Sequence, residues 1–320
     1  MDFAFSEDQL SFRDAVRDLL TRECGASVVR DAWSNSDGRS GQVWDLLSEM
    51  GVLGILAPEV DGGMGMTMID LVLLVEECGR VALPEPIIEH AVVSAPIIGG
   101  VVSGSRTVTS FIGGSPFALY ADSSEVALVE RDQMLFTVER AALRLTPETA
   151  VDGSRRLSTL EWSDSDATEV GGPLEAAAAF DRGALGAAAL LLGLSHRMLE
   201  MSVEYASERR QFGAPIGSFQ AVKHHLANAR IALEFARPLV TRAAYSLSIG
   251  DPDASVHVSM AKAQASDAAM LTAAHALQCH GAIGYSFEYD LHMWMKRAWA
   301  LSSSWGDASL HRARVAKAVL

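Results

Sequence analysis

Apolar residues near the start of the chain recur at helical spacing. Phe12, Val16 and Leu19 fall at i, i+4 and i+7 on one face, and Ser6 is placed to cap that helix. A second helix is predicted from Gly41 to Met50. A third opens on Thr67-Met68-Ile69-Asp70, a capping pattern, and must end before Pro84 and Pro86, which cannot continue a helix. From Arg106 to about Trp162 the pattern changes to short β-prone runs, namely Val108 to Ile112, Phe117 to Tyr120, Val126 to Val129, Met134 to Val138 and Leu157 to Trp162. Gly113-Gly114, Asp122-Ser123-Ser124 and Asp152-Gly153 break them, which predicts a small antiparallel sheet domain. Beyond Gly171-Gly172-Pro173 an Ala-rich helical pattern returns, with four long helices expected over 174–210, 217–249, 252–279 and 287–318. Asp251 ahead of Pro252 marks the start of the third. The stripe Leu190, Leu194, Met198, Met201 is assigned to the core. The pattern predicts a mainly α chain with a small β domain (α+β), divided as 1–104 helical, 105–170 reduced β and 171–320 four-helix bundle.

Composition narrows the function classes. A chain of 320 residues that is 49% hydrophobic can bury a large core as one compact subunit of two or three subdomains. Its net charge of -14 disfavours nucleic acid and anionic lipid surfaces as partners. Cys24, Cys78 and Cys279 have neither disulfide-scaffold nor metal-ligand spacing, which fits a reducing cytoplasm. The stretch Met1-Asp2-Phe3-Ala4-Phe5-Ser6-Glu7-Asp8 is acidic where a signal peptide would be basic, and the longest apolar run, Gly183 to Leu194, is short for a bilayer span. His224, His225, His275, His280 and His292 give no convincing metal spacing. Cys279 and His280 are sequence neighbours, better suited to a turn than to a nucleophile pair. Gly62-Gly63-Met64-Gly65 lies between helices, the wrong context for a dinucleotide loop.

Four segments carry recognisable chemistry. They are Pro58-Glu59-Val60-Asp61-Gly62-Gly63-Met64-Gly65-Met66, Glu208-Arg209-Arg210-Gln211-Phe212-Gly213-Ala214-Pro215-Ile216 followed by Phe219-Gln220, Gln278-Cys279-His280-Gly281-Ala282-Ile283-Gly284-Tyr285, and Ser304-Trp305-Gly306-Asp307. Together they resemble the acyl-CoA dehydrogenase family, and with Phe180-Asp181-Arg182-Gly183-Ala184 the resemblance covers nearly the whole chain. It implies that Arg209 binds the FAD pyrophosphate of a neighbouring subunit, with Gln211, Phe212 and Gln220 around the adenine, and that Gln278, Gly281 and Ala282 line the same FAD. The residue types suit those roles, since a guanidinium fork matches phosphate oxygens and an aromatic ring packs on a purine. Asp181 matches the family aspartate on the CoA adenine side.

The departures from the family pattern matter more. The position aligned with the catalytic Glu is Trp305, and the base position used by some branches is Gly183. Ala184 replaces the arginine near the acyl group, and the T-E-P-x-x-G-S-D loop and W-I-T-N strand that bind the flavin ring are both missing. The family reaction is α,β-dehydrogenation of an acyl-CoA thioester, which needs a base and a flavin. The resemblance therefore implies a non-catalytic subunit that completes the FAD site of a full-length homologue in an α2β2 heterotetramer, with a steroid-derived acyl-CoA as the kind of substrate such bacterial pairs take. Two alternatives stay open: a silent homo-oligomer that binds a CoA thioester or serves as a scaffold, and a self-sufficient dehydrogenase with an unconventional base such as Asp307.

Overall fold

A computed structural model describes residues 4–320; the first three residues of the acidic amino-terminal stretch lie outside them. Helix α1 (Glu7–Glu23) begins as expected, with Ser6 Oγ accepting the Gln9 backbone N–H at 3.2 Å and the Gln9 side chain returning to the Ser6 N–H at 2.9 Å. Helix α2 (Ala26–Ser34) precedes α3 (Gly41–Glu49), and α4 (Met68–Arg80) opens with the Asp70 carboxylate accepting the Thr67 N–H at 2.9 Å. The apolar positions of these helices bury against one another and against the bundle that follows. A π-helical segment, Ile88–Ser94, comes next and is fully buried. Its carbonyl ends are tied by side chains: the Ser94 and Ser110 hydroxyls both donate to the Glu89 carbonyl.

The β region forms two sheets. β1 (Val108–Phe111), β3 (Val126–Arg131), β4 (Met134–Glu139) and β7 (Ala167–Gly171) make the first, in the order β1-β3-β4-β7. β2 (Ala118–Leu119), β6 (Leu157–Glu161) and β5 (Arg144–Glu148) make the second, in the order β2-β6-β5. Pairing is antiparallel except between β1 and β3, which run parallel because the chain crosses through β2 before returning to the first sheet. β5 and β7 lie at sheet edges and were not predicted. They carry Pro147 and several charged or small residues, and neither alternates cleanly.

The long helices follow. α5 (Pro173–Glu208) starts with proline in its first turn and with the Glu175 carboxylate accepting the Gly172 N–H at 3.0 Å. The hairpin β8 (Arg210–Gln211) and β9 (Ala214–Pro215) leads to α6 (Gln220–Ser248), α7 (Ala254–His280), α8 (Leu291–Ser303) and α9 (Ala308–Val319). α7 starts later than its Asp251-Pro252 signal, because the Asp251 side chain caps the preceding turn, accepting the Asp253 N–H at 2.9 Å. The helix expected over 287–318 is two helices, broken where Trp305 (φ 55°) and Gly306 (φ 84°) both take left-handed backbone. Helix α5 is long and apolar enough to cross a membrane by composition, unlike the short run read from the sequence, but 78% of its apolar window is buried inside the fold. Leu190, Leu194, Met198 and Met201 all lie in the core, as expected. α4 and α5 cross at Gly79 and Gly193, where a Cβ on Gly193 would strike the Glu76 carbonyl and stand 2.7 Å from the Arg80 nitrogen.

Candidate functional site

The break between α8 and α9 brings Trp305 back onto α5. A Cβ built on Gly183 would fall on the indole, 2.5 Å from Cδ2 and 2.6 Å from Cζ3, so the ring lies flat against the glycine backbone. Trp305 is 9% exposed and Ala184 is fully buried. The two positions expected from the resemblance to match a base thus fill one another, and no carboxylate stands at either. The carboxylate of Glu89, a residue of the π-helical segment that is 5% exposed, lies near the Arg155 guanidinium and the Trp305 indole; burial raises that carboxyl above its ordinary range, against the pull of Arg155.

Three further contacts fix this turn. Lys262 of α7, with no exposed surface, donates to the carbonyls of Ser302 at 3.0 Å and Gly306 at 2.9 Å and to the Ser266 hydroxyl at 3.0 Å. Burial pushes its ammonium down to about 7. The His311 Nε2 faces the Trp305 carbonyl at 2.8 Å and its Nδ1 faces Ser259 Oγ at 3.2 Å, so Nε2 carries the proton, and burial holds the ring neutral down to about 4. The Asp307 carboxylate accepts the Leu310 N–H at 2.8 Å as the cap of α9, a use that competes with a role as base.

Residues expected around FAD gather at one end of the bundle. Tyr205, one turn before Arg209, stacks on His280 with centroids 4.4 Å apart, which joins the end of α5 to the end of α7, where Gln278, Gly281 and Ala282 lie. His225 Nδ1 meets His275 Nδ1 at 2.8 Å and draws the start of α6, with Gln220, to the same end. Arg209, Gln211, Phe212, Gln220, Gln278, Gly281 and Ala282 are all exposed. The Phe212-Gly213 loop takes left-handed backbone at both residues, φ 50° and 81°, the two-residue hairpin type that twists with its strands. It presents a phenyl ring that is 94% exposed, edge-on to Phe219 at 6.1 Å. The Arg209 side chain has no hydrogen-bond or ion-pair partner among the described residues. An unpaired guanidinium beside an exposed ring and several amides has the chemistry to take a phosphate and a purine.

Asp181, near the start of α5, is 6% exposed and accepts from Arg314 Nη2 at 2.8 Å. A cleft of about 410 Å³ opens there, bounded by Phe180, Gln133, Glu130 and Arg314. Sequence reading missed the charged residues buried behind Trp305. Arg297 donates to the Leu83 carbonyl at 2.7 Å and to Asp152 and Ser154, and Arg155 Nη2 donates to Ser304 Oγ at 2.8 Å. A signal for these was present: a lone charge inside an apolar or Ala-rich run, as for Glu89 among Ile87 to Val93 and Lys262 in α7.

Comparison with known proteins gives a family. Residues 6–99 match the acyl-CoA dehydrogenase N-terminal domain and residues 172–320 the acyl-CoA dehydrogenase C-terminal domain. Acyl-CoA dehydrogenase IpdE2 of Mycobacterium tuberculosis is 31% identical over 91% of both chains. Among solved structures, a chain of the ChsE4-ChsE5 complex from Mycobacterium tuberculosis superposes with a TM-score of 0.89 at 24% identity, covering 99% of this chain and 98% of that one. A chain of the Tcur3481-Tcur3483 steroid ACAD gives a TM-score of 0.86 at 23% identity, covering 97% of each. With both family domains matched and a relative of equal length this similar, the chain belongs to the acyl-CoA dehydrogenase family of FAD-dependent oxidoreductases.

Proposed function

We propose that this chain is the non-catalytic subunit of a heteromeric acyl-CoA dehydrogenase, an α2β2 assembly with a full-length homologue that supplies the base and the flavin-ring site. The observation that carries this reading is the contact of Trp305 with Gly183, which occupies both base positions with apolar surface. Three supports are independent of it. The flavin loops are missing from the sequence, the unpaired Arg209 and exposed Phe212 face outward, and structural neighbours include a heteromeric complex and a steroid ACAD. When bound, FAD would accept the hydride from the β-carbon of the thioester. This chain's part is to hold it from the neighbouring side: Arg209 on the pyrophosphate, Gln211, Phe212 and Gln220 around the adenine, and Gln278, Gly281 and Ala282 along its length. Asp181 belongs to the CoA side of the subunit. A steroid-derived acyl-CoA is the substrate class this reading favours.

Co-expression with a full-length homologue tests it. The purified complex should be yellow and contain one FAD per heterodimer, while this chain expressed alone should be free of flavin. One FAD per polypeptide, or flavin stably held by this chain alone, would overturn the reading.

A further inference from the structure

The loop between α7 and α8 surrounds a lysine that has no acceptor. Lys296 of α8 is 8% exposed, and its ammonium stands 4.4 Å from the ring centre of Phe287, 5.2 Å from that of Trp33 and 5.5 Å from that of Tyr285. These rings fix the position of the charge by cation–π attraction, but ring faces supply no oxygen for the N–H donors of an ammonium. Among the described residues Lys296 has no hydrogen bond and no ion pair.

The surroundings leave that need unmet. Asp290, in the same loop, accepts from Arg30, which also donates to the Phe287 carbonyl at 2.7 Å and so pins the loop to α2. Trp33 Nε1 is itself a donor without a partner, and neither ring nitrogen of His292, which is 1% exposed, bonds to anything. The ammonium keeps contact with solvent at the edge of this cluster. Around it Ile283, Tyr285 and Phe287 are 40%, 52% and 66% exposed, and they follow directly on Gly281 and Ala282. The result is one recessed cation inside a preformed apolar rim.

We propose that Lys296 is an anchor for the full-length partner subunit, receiving a carboxylate side chain from an apolar patch of that subunit that covers Ile283, Tyr285 and Phe287. Covering the rim strips water from the ammonium, and a carboxylate docked there makes a desolvated, centrally placed pair rather than a solvated one at the edge of an interface. The inference rests on the proposed function, in which Gly281 and Ala282 of this same loop already reach the neighbouring subunit. A second copy of this chain fits less well, because docking patch to patch would set one unpaired lysine against another.

Dissociation of the co-purified complex on dilution, read with a fluorescently labelled partner subunit, tests it. Lys296→Met keeps the apolar stem and removes the charge; it is expected to weaken subunit affinity at least about tenfold, while Lys317→Met, at an exposed position of α9, leaves it unchanged. Phe287→Ala, at the exposed rim, should weaken affinity in the same direction without touching a buried group. At saturating partner the Lys296→Met complex should hold as much FAD as wild type. Undiminished affinity in Lys296→Met, or in Phe287→Ala if the lysine variant does not fold, overturns this inference alone. So does a saturated Lys296→Met complex without flavin, which would put the lysine on the cofactor, and so does self-association of the isolated chain that Lys296→Met abolishes, which would make a second copy the occupant. A wild-type chain that forms no complex with the homologue overturns the proposed function as well.

Discussion

At the scale of single residues, Gly183 and Trp305 act as one unit. The indole needs the bare glycine backbone to lie on, and the glycine face is covered only because the indole is there. Gly183→Ala should therefore destabilise the chain by about 1–3 kcal/mol through overpacking, and Trp305→Ala by about 3–5 kcal/mol through the cavity it leaves. Their double variant should cost less than the sum by about 1 kcal/mol, because the added methyl enters the vacated space. Denaturant unfolding of the four proteins measures this coupling, and strictly additive costs would mean that the ring is not what covers Gly183. That Trp305 stands where the family resemblance leads one to expect a glutamate was legible from the motifs. That its ring returns to Gly183 was not, since the two residues are far apart in sequence and meet only when α8 breaks.

At the scale of elements, caps and crossings carry the design. Ser6 and Asp70 could be read as caps because their bonds are local, made to residues three positions away. The edge strands β5 and β7 and the split of the last helix could not, because apolar residues continue through Trp299, Leu301, Trp305 and Leu310 regardless of the break. The break depends on left-handed backbone at Trp305, held by Lys262 from α7 and by His311 from the helix that follows the break. The crossing of α4 and α5 is equally tertiary. Gly193→Ala should push those helices apart and lower stability by about 1–3 kcal/mol, read as a shift of the denaturation midpoint, whereas the exposed Gly41→Ala, in the first turn of α3, has no neighbour to strike. Equal destabilisation by both changes would show that the close approach is unimportant.

At the scale of the whole molecule, one end of the bundle is unfinished. Phe212, Phe219, Ile283, Tyr285 and Phe287 are all exposed there, beside the unpaired Arg209. A left-handed phenylalanine that is 94% exposed has only the tight hairpin and the edge contact with Phe219 to offset its backbone strain within its own chain. If the neighbour's FAD closes this surface, Arg209→Ala in the assembled complex should remove a charge-assisted contact of about 1.5–3 kcal/mol. That corresponds to a roughly ten- to hundredfold weaker FAD affinity, measured by flavin release from the complex. Unchanged affinity in a properly assembled variant would place the pyrophosphate elsewhere.

The sequence by itself determined what is written in local order. It specified the α+β class, the capped first and third helices, most of the strands, the Ala-rich helices and the motifs that mark the family. It also determined that Trp305 and Gly183, the positions the resemblance matches to a base, hold no carboxylate, since residue identity needs no folding to read. Tertiary structure alone decided that these positions close on one another, that Glu89, Arg155 and Lys262 are buried behind them, and that the residues proposed to face FAD share one exposed end of the bundle. The physical reason is common to all three: spacing along a helix reports which face a residue occupies, but a burial or a contact belongs to pairs of elements, and these pairs come together only through long-range packing.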